Sequence, residues 1–108
     1  MTTAVVVGPD PNDIGEALEA EGFSVTQTAI GNRPGLEEAG ITAADVVVLT
    51  DIDQATTIPV AHDLNPDIRV VIYAEGSIPE FAARQTDLLV DPELLDAAAV
   101  AAELARED

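Results

Sequence analysis

Continuous apolar runs alternate with amphipathic stretches along this chain, and the alternation predicts its elements. Ala4-Val5-Val6-Val7, closed by Gly8, is the β-branched run of a strand covered on both faces. After the loop Pro9-Asp10-Pro11-Asn12, Ile14, Ala17 and Leu18 fall at helical spacing. That spacing predicts a helix over Ile14 to Glu21, capped by Asp13 or Asn12 and stopped at Gly22. Phe23 to Thr28 alternates apolar and polar, as a second strand at or near the sheet edge would. Ile30 to Gly40 is rich in Gly and Pro, with one helical turn expected at Leu36 to Ala39.

Val46 to Leu49 is the clearest buried strand, followed by the loop Thr50-Asp51-Ile52-Asp53. A helix then runs to Leu64. Pro59 lies inside it, so its start is expected near Ile58 with Thr57 as cap. Ile68 to Tyr73 is a fourth strand, Ile78 to Arg84 a short helix, and Asp87 to Val90 a fifth strand. Asp91-Pro92-Glu93 has the form of a helix start. The last helix is expected to reach about Arg106, with Leu94, Ala98, Ala101 and Leu104 on one face.

Strands alternating with helices imply parallel pairing through right-handed crossovers. The expected fold is α/β: a three-layer Rossmann-like arrangement with a mainly parallel five-stranded sheet, helices on both faces, and one domain over residues 1–108. In such sheets ligands bind beyond the C-terminal strand ends. Those ends carry Gly8 to Asp13, Thr50 to Asp53, and Ala74 to Ser77.

Charge adds the next constraint. There are 21 acidic residues and 4 basic ones, a formal net charge of −17. All the basic residues are arginine (Arg33, Arg69, Arg84 and Arg106) and lysine is absent. Such a surface repels itself in dilute buffer. Near 1 M salt the screening length falls to about 3 Å and the repulsion fades. The composition resembles that of salt-in halophiles. Disorder is excluded by abundant, patterned apolar residues, 47% of the chain. No basic patch for nucleic acid can be assembled. Without cysteine, disulfides and Cys-ligated metals are excluded. The apolar runs are too short to span a bilayer, and no signal peptide is visible, so a cytoplasmic location is expected.

Two resemblances suggest a function. Asp45-Val46-Val47-Val48-Leu49-Thr50-Asp51 and Asp63-Leu64-Asn65-Pro66-Asp67-Ile68-Arg69-Val70 resemble the TrkA-N family, NAD-binding domains of potassium-conductance regulators. Asp91-Pro92 resembles that family's fifth-strand ending. The family binds a nucleotide on a GxGxxG turn, where glycines let the pyrophosphate approach a helix N-terminus. Gly8 matches the first glycine and Gly15 stands for the last. Between them Pro9 and Pro11 remove donors, and Asp10 and Asp13 repel phosphate. Val25-Thr26-Gln27-Thr28 offers no ribose-binding acid. The resemblance implies a stand-alone nucleotide-sensing or vestigial nucleotide-binding regulatory module, without catalysis. Its cofactor would be NAD or an adenine nucleotide, held by Gly8, Asp10, Gly15, Thr50 and Asp51. It also implies a homodimer or a protein partner.

The alternative is the phosphoacceptor receiver domain. Receivers carry an acidic pair after the first strand and a phosphorylated Asp after the third, where Asp10 and Asp51 could stand. They also need a lysine after the fifth strand, and without it phosphotransfer lacks its main charge stabiliser. This reading is an interaction adaptor without a small ligand. Asp10, Asp13, Asp51 and Asp53 could also frame a hard-cation site, but in so acidic a chain they read as surface and caps, and no metal is expected. His62, the one histidine, has no nucleophile in its local sequence and reads as a helix residue at the core boundary. There is no GxSxG or other hydrolase arrangement, and no catalytic residue is expected.

Overall fold

The computed structural model describes residues 2–107; residues 1 and 108 of the expected domain lie outside it. The elements are β1 (Thr3–Val7), α1 (Ile14–Ala20), β2 (Ser24–Thr28), α2 (Arg33–Glu38), β3 (Val46–Leu49), α3 (Thr57–Leu64), β4 (Arg69–Tyr73), α4 (Glu80–Ala83), β5 (Leu88–Val90) and α5 (Ala97–Glu107). Short 3-10 turns at Ile41–Ala43 and Ile52–Gln54 flank β3.

The five strands form one parallel sheet in the order β2-β1-β3-β4-β5. Successive residues of each strand face opposite sides, so each central strand feeds two cores. Val5, Val7, Val47, Leu49, Val70 and Ile72 pack on one face with Leu36, Ile58 and Ala82 from α2, α3 and α4. Ala4, Val6, Val46, Val48, Val71 and Tyr73 pack on the other with Ile14, Leu18, Val100 and Leu104 from α1 and α5. The expected three-layer α/β architecture is therefore present.

The strand order corrects the Rossmann-like reading. In the dinucleotide-binding order 3-2-1-4-5-6, β3 lies outside β2. Here β3 crosses to the far side of β1, with Ala4 beside Val46 and Val7 beside Leu49. The sheet reverses direction of growth between β1 and β3, and a crevice opens there.

Several boundaries also differ from expectation. Asn32 caps α2 by accepting from the Gly35 N–H at 2.9 Å, so this helix is longer than one turn. α3 begins at Thr57, because Pro59 falls in its first turn where no intrahelical donor is needed. Thr57 is thus buried within the helix rather than capping it, and its hydroxyl donates to the Gly31 carbonyl at 3.1 Å. Asp91-Pro92-Glu93 forms a turn, not a helix start; Asp91 accepts from the Glu93 N–H at 2.8 Å. Asp96 is the working cap of α5, accepting from the Ala99 N–H at 2.8 Å. Starting there sets Ala97, Val100, Ala101 and Leu104 on the sheet. It leaves Leu94, expected on the core face, 81% exposed.

Candidate functional site

The crevice between β1 and β3 gathers the loops that carry the expected site residues. Each of them is there, but each is bonded to the protein itself. Gly8 is buried, with φ +103°, and a Cβ on it would lie 2.8 Å from Thr50 Oγ1. Close approach of the loop after β3 explains this glycine without a phosphate. The Thr50 hydroxyl is held by the carbonyls of Val7, at 3.0 Å, and Pro9. It ties the loop after β1 to the loop after β3.

Asp10 is the cap of α1. Its two carboxylate oxygens accept from the backbone N–H groups of Ile14, at 2.8 Å, and Gly15, at 2.9 Å. The loop 10–13 folds back so that Asp10 reaches donors that Asp13 and Asn12 were expected to satisfy. Asp13 takes a left-handed conformation (φ 57°) and makes no side-chain cap bond. Gly15 leaves room for this cap, because a Cβ there would lie only 3.2 Å from Asp10 Oδ2. So the helix N-terminus is filled by a carboxylate of the same chain. Asp51 accepts from the Asp53 N–H at 3.0 Å and caps the Ile52–Gln54 turn.

The acids the sequence pairs are not the ones the structure brings together. Asp10, Asp13, Asp51 and Asp53 form no common cluster. Among the described residues, the acidic trio whose oxygens lie within 4.8 Å of one another is Glu75, Asp91 and Glu93. These sit after β4 and β5, on strands that only the fold makes neighbours. Glu75 and Glu93 line a cleft of about 340 Å³ whose walls also include Pro11, Asn12, Thr50 and Tyr73. The protonated Glu75 carboxyl donates a hydrogen bond to Glu93, and this bond together with the Glu93 charge holds it above its usual range. Oxygens so spaced match a hard cation in type, although Glu75 and Glu93 are exposed and Asp91 is half-buried. Against a nucleotide phosphate the same lining is repulsive. His62 Nε2 lies 3.0 Å from the Gln85 carbonyl and fastens α3 to the end of α4.

A parallel sheet in the order 2-1-3-4-5 defines the flavodoxin-like, CheY-like doubly wound α/β fold. Solved structures agree on the fold. An orphan response regulator of H. pylori superposes with a TM-score of 0.75 at 16% identity, over 97% of this chain and 94% of that one. An atypical orphan response regulator, described as having a phosphorylation-independent regulatory mechanism, gives 0.74 at 16% identity, over 97% and 93%. A CheY-like receiver domain protein from Methanospirillum hungatei gives 0.70 at 15% identity, over 99% and 93%. These likenesses overturn the TrkA-N resemblance and the nucleotide-binding function drawn from it. No curated protein matches the chain. Residues 4–104 match the family described as a family of unknown function (DUF7126), and the chain belongs to that family.

Proposed function

We propose that this protein is a receiver-like interaction module that works without phosphotransfer and without a small ligand. One observation carries the reading. The two acids at receiver-like positions serve as backbone caps: Asp10 uses both oxygens on α1, and Asp51 uses one on the following turn. The absence of lysine from the whole chain supports it, because the charge that would stabilise a transferring phosphoryl group is missing. The phosphorylation-independent mechanism named for one structural relative fits the same picture. The module's output is then a protein contact, in homodimer or heteromeric form. A salt-rich cytoplasm suits its acidic surface.

The test is an amide NMR titration in about molar KCl, chosen to screen the charge, with Mg²⁺ and beryllofluoride. The expected spectrum is unchanged at residues 50–54. Saturable shifts there, abolished in Asp51→Asn, would sink the reading. In parallel, Asp51→Asn should recover the same partner from cell extract as the unmodified chain.

A further inference from the structure

β2 is an edge strand with none of the usual protections. Natural sheet edges are blunted by charge, proline, bulges or short strands, since free backbone groups invite another chain. β2 has five residues, Ser24–Thr28, in unbroken register with β1. It contains no proline and no charge. Residues 22–32 are in fact the longest uncharged run in a chain whose net charge is −17.

The ladder shows which backbone groups are free. The Ser24 N–H donates to the Thr2 carbonyl at 2.8 Å, and the Gly8 N–H donates to the Thr28 carbonyl at 2.9 Å. Groups of Ser24, Thr26 and Thr28 therefore face β1, and those of Val25 and Gln27 face outward. In an antiparallel pairing, outward residues must meet outward residues to exchange bonds. One register uses all four groups: Val25 opposite the partner's Gln27, and Gln27 opposite the partner's Val25.

We propose that two copies of this chain join through β2, antiparallel about a two-fold axis at Thr26, into one continuous sheet. An isologous contact demands a self-complementary patch, and this register supplies one. Thr26 meets the partner's Thr26, and Ser24 meets the partner's Thr28, pairs that suit a strand interface. Along the strands themselves no acid faces an acid; the charge nearby is Glu38 of α2, which borders a shallow pocket with Thr26 and Thr28. Ile30, 62% exposed just past the strand, runs toward the partner's Gly22 turn, where no atom lies within 4 Å of the missing side chain. The acids elsewhere on both copies still repel at long range, so association requires salt. The inference is independent of the acids in the crevice and of whether phosphotransfer occurs.

The absence of cysteine allows a register-specific test. At the non-hydrogen-bonded centre the two Thr26 Cα atoms would lie about 4.5 Å apart, within disulfide range. The two Ser24 residues would be separated by roughly 13 Å along the strands. The full chain is weighed by sedimentation in dilute buffer and in about 2 M KCl, where screening is short. Thr26→Cys and Ser24→Cys are then oxidised in the high-salt buffer. The expected result is twice the 11.2 kDa chain mass in high salt only, with a disulfide dimer for Thr26→Cys and none for Ser24→Cys. Thr26→Lys, at an exposed position, should return the folded chain to monomer. A monomer at every salt concentration overturns the proposal. So does a dimer in which Thr26→Cys cross-links no better than Ser24→Cys, because the contact then lies elsewhere.

Discussion

Asp10 and Gly15 are bonded to each other: the carboxylate accepts the glycine's N–H at 2.9 Å and fills the space a side chain there would need. Read along the chain, the two look like parts of a nucleotide turn. In the fold they form a helix cap. Asp10→Ala should therefore lower stability by about 1–2 kcal/mol, the usual cost of losing an N-terminal cap. Asp10→Asn, with one acceptor oxygen, should lose less. Urea unfolding in molar KCl measures both, and an unchanged midpoint for Asp10→Ala would refute the capping role.

Gly8 and Gly22 provide a matched pair. Both have positive φ, +103° and +96°, but only Gly8 has a neighbour where its Cβ would go. Gly22→Ala should cost about 1 kcal/mol for backbone conformation. Gly8→Ala should cost about 1–3 kcal/mol more, because the Thr50 hydroxyl and the Asp51 Cβ must also give way. Equal losses by thermal unfolding would mean that the loops after β1 and β3 separate easily.

Glu75 gives a pH dependence. Its carboxyl titrates above the ordinary Glu value of 4.5, chiefly through the hydrogen bond with Glu93. A folded-state value above the unfolded one means the contribution is present in acid and lost as pH rises through the folded value. Above that range two carboxylates face each other without a proton between them. Glu75→Gln should thus raise the melting temperature slightly at neutral pH in low salt. The gain should vanish near pH 4 and in molar KCl. A gain that is the same at every pH would point to a cause other than titration.

Salt should stabilise the whole domain. Screening shortens from about 10 Å at 0.1 M to about 3 Å at 1 M, which removes most repulsion among 21 acids. The surface ion pairs present, such as Glu80 with Arg84 at 3.0 Å, are too exposed to compensate in either direction. The melting temperature is expected to rise with KCl. A melting temperature independent of KCl would defeat the salt-adaptation argument.

Much of the fold was legible because strands and helices carry their period locally. Val46–Leu49 has no polar residue and is buried on both sides; Ile14, Leu18, Val100 and Leu104 line the helix faces. One boundary failed where the local signal was misleading. Asp91-Pro92-Glu93 has the form of a helix start, but Asp96 caps α5 and the helix packs on the sheet from there. The site was less legible. Gly8, Asp10, Gly15, Thr50 and Asp51 do meet at one crevice, yet their bonding partners lie on other loops. Glu75, Asp91 and Glu93 could be grouped only once β4 and β5 were known to be neighbours.

The sequence by itself determined the number of strands and helices, their order, the two-faced burial of the sheet and the strongly acidic charge. These follow from residue type and spacing, which act over a few positions. Only the tertiary structure decided that β3 lies beside β1 rather than beyond β2, and so which of two similar α/β folds the chain adopts. Strand order depends on which apolar faces pack best after a crossover, a non-local choice that short-range periodicity does not encode.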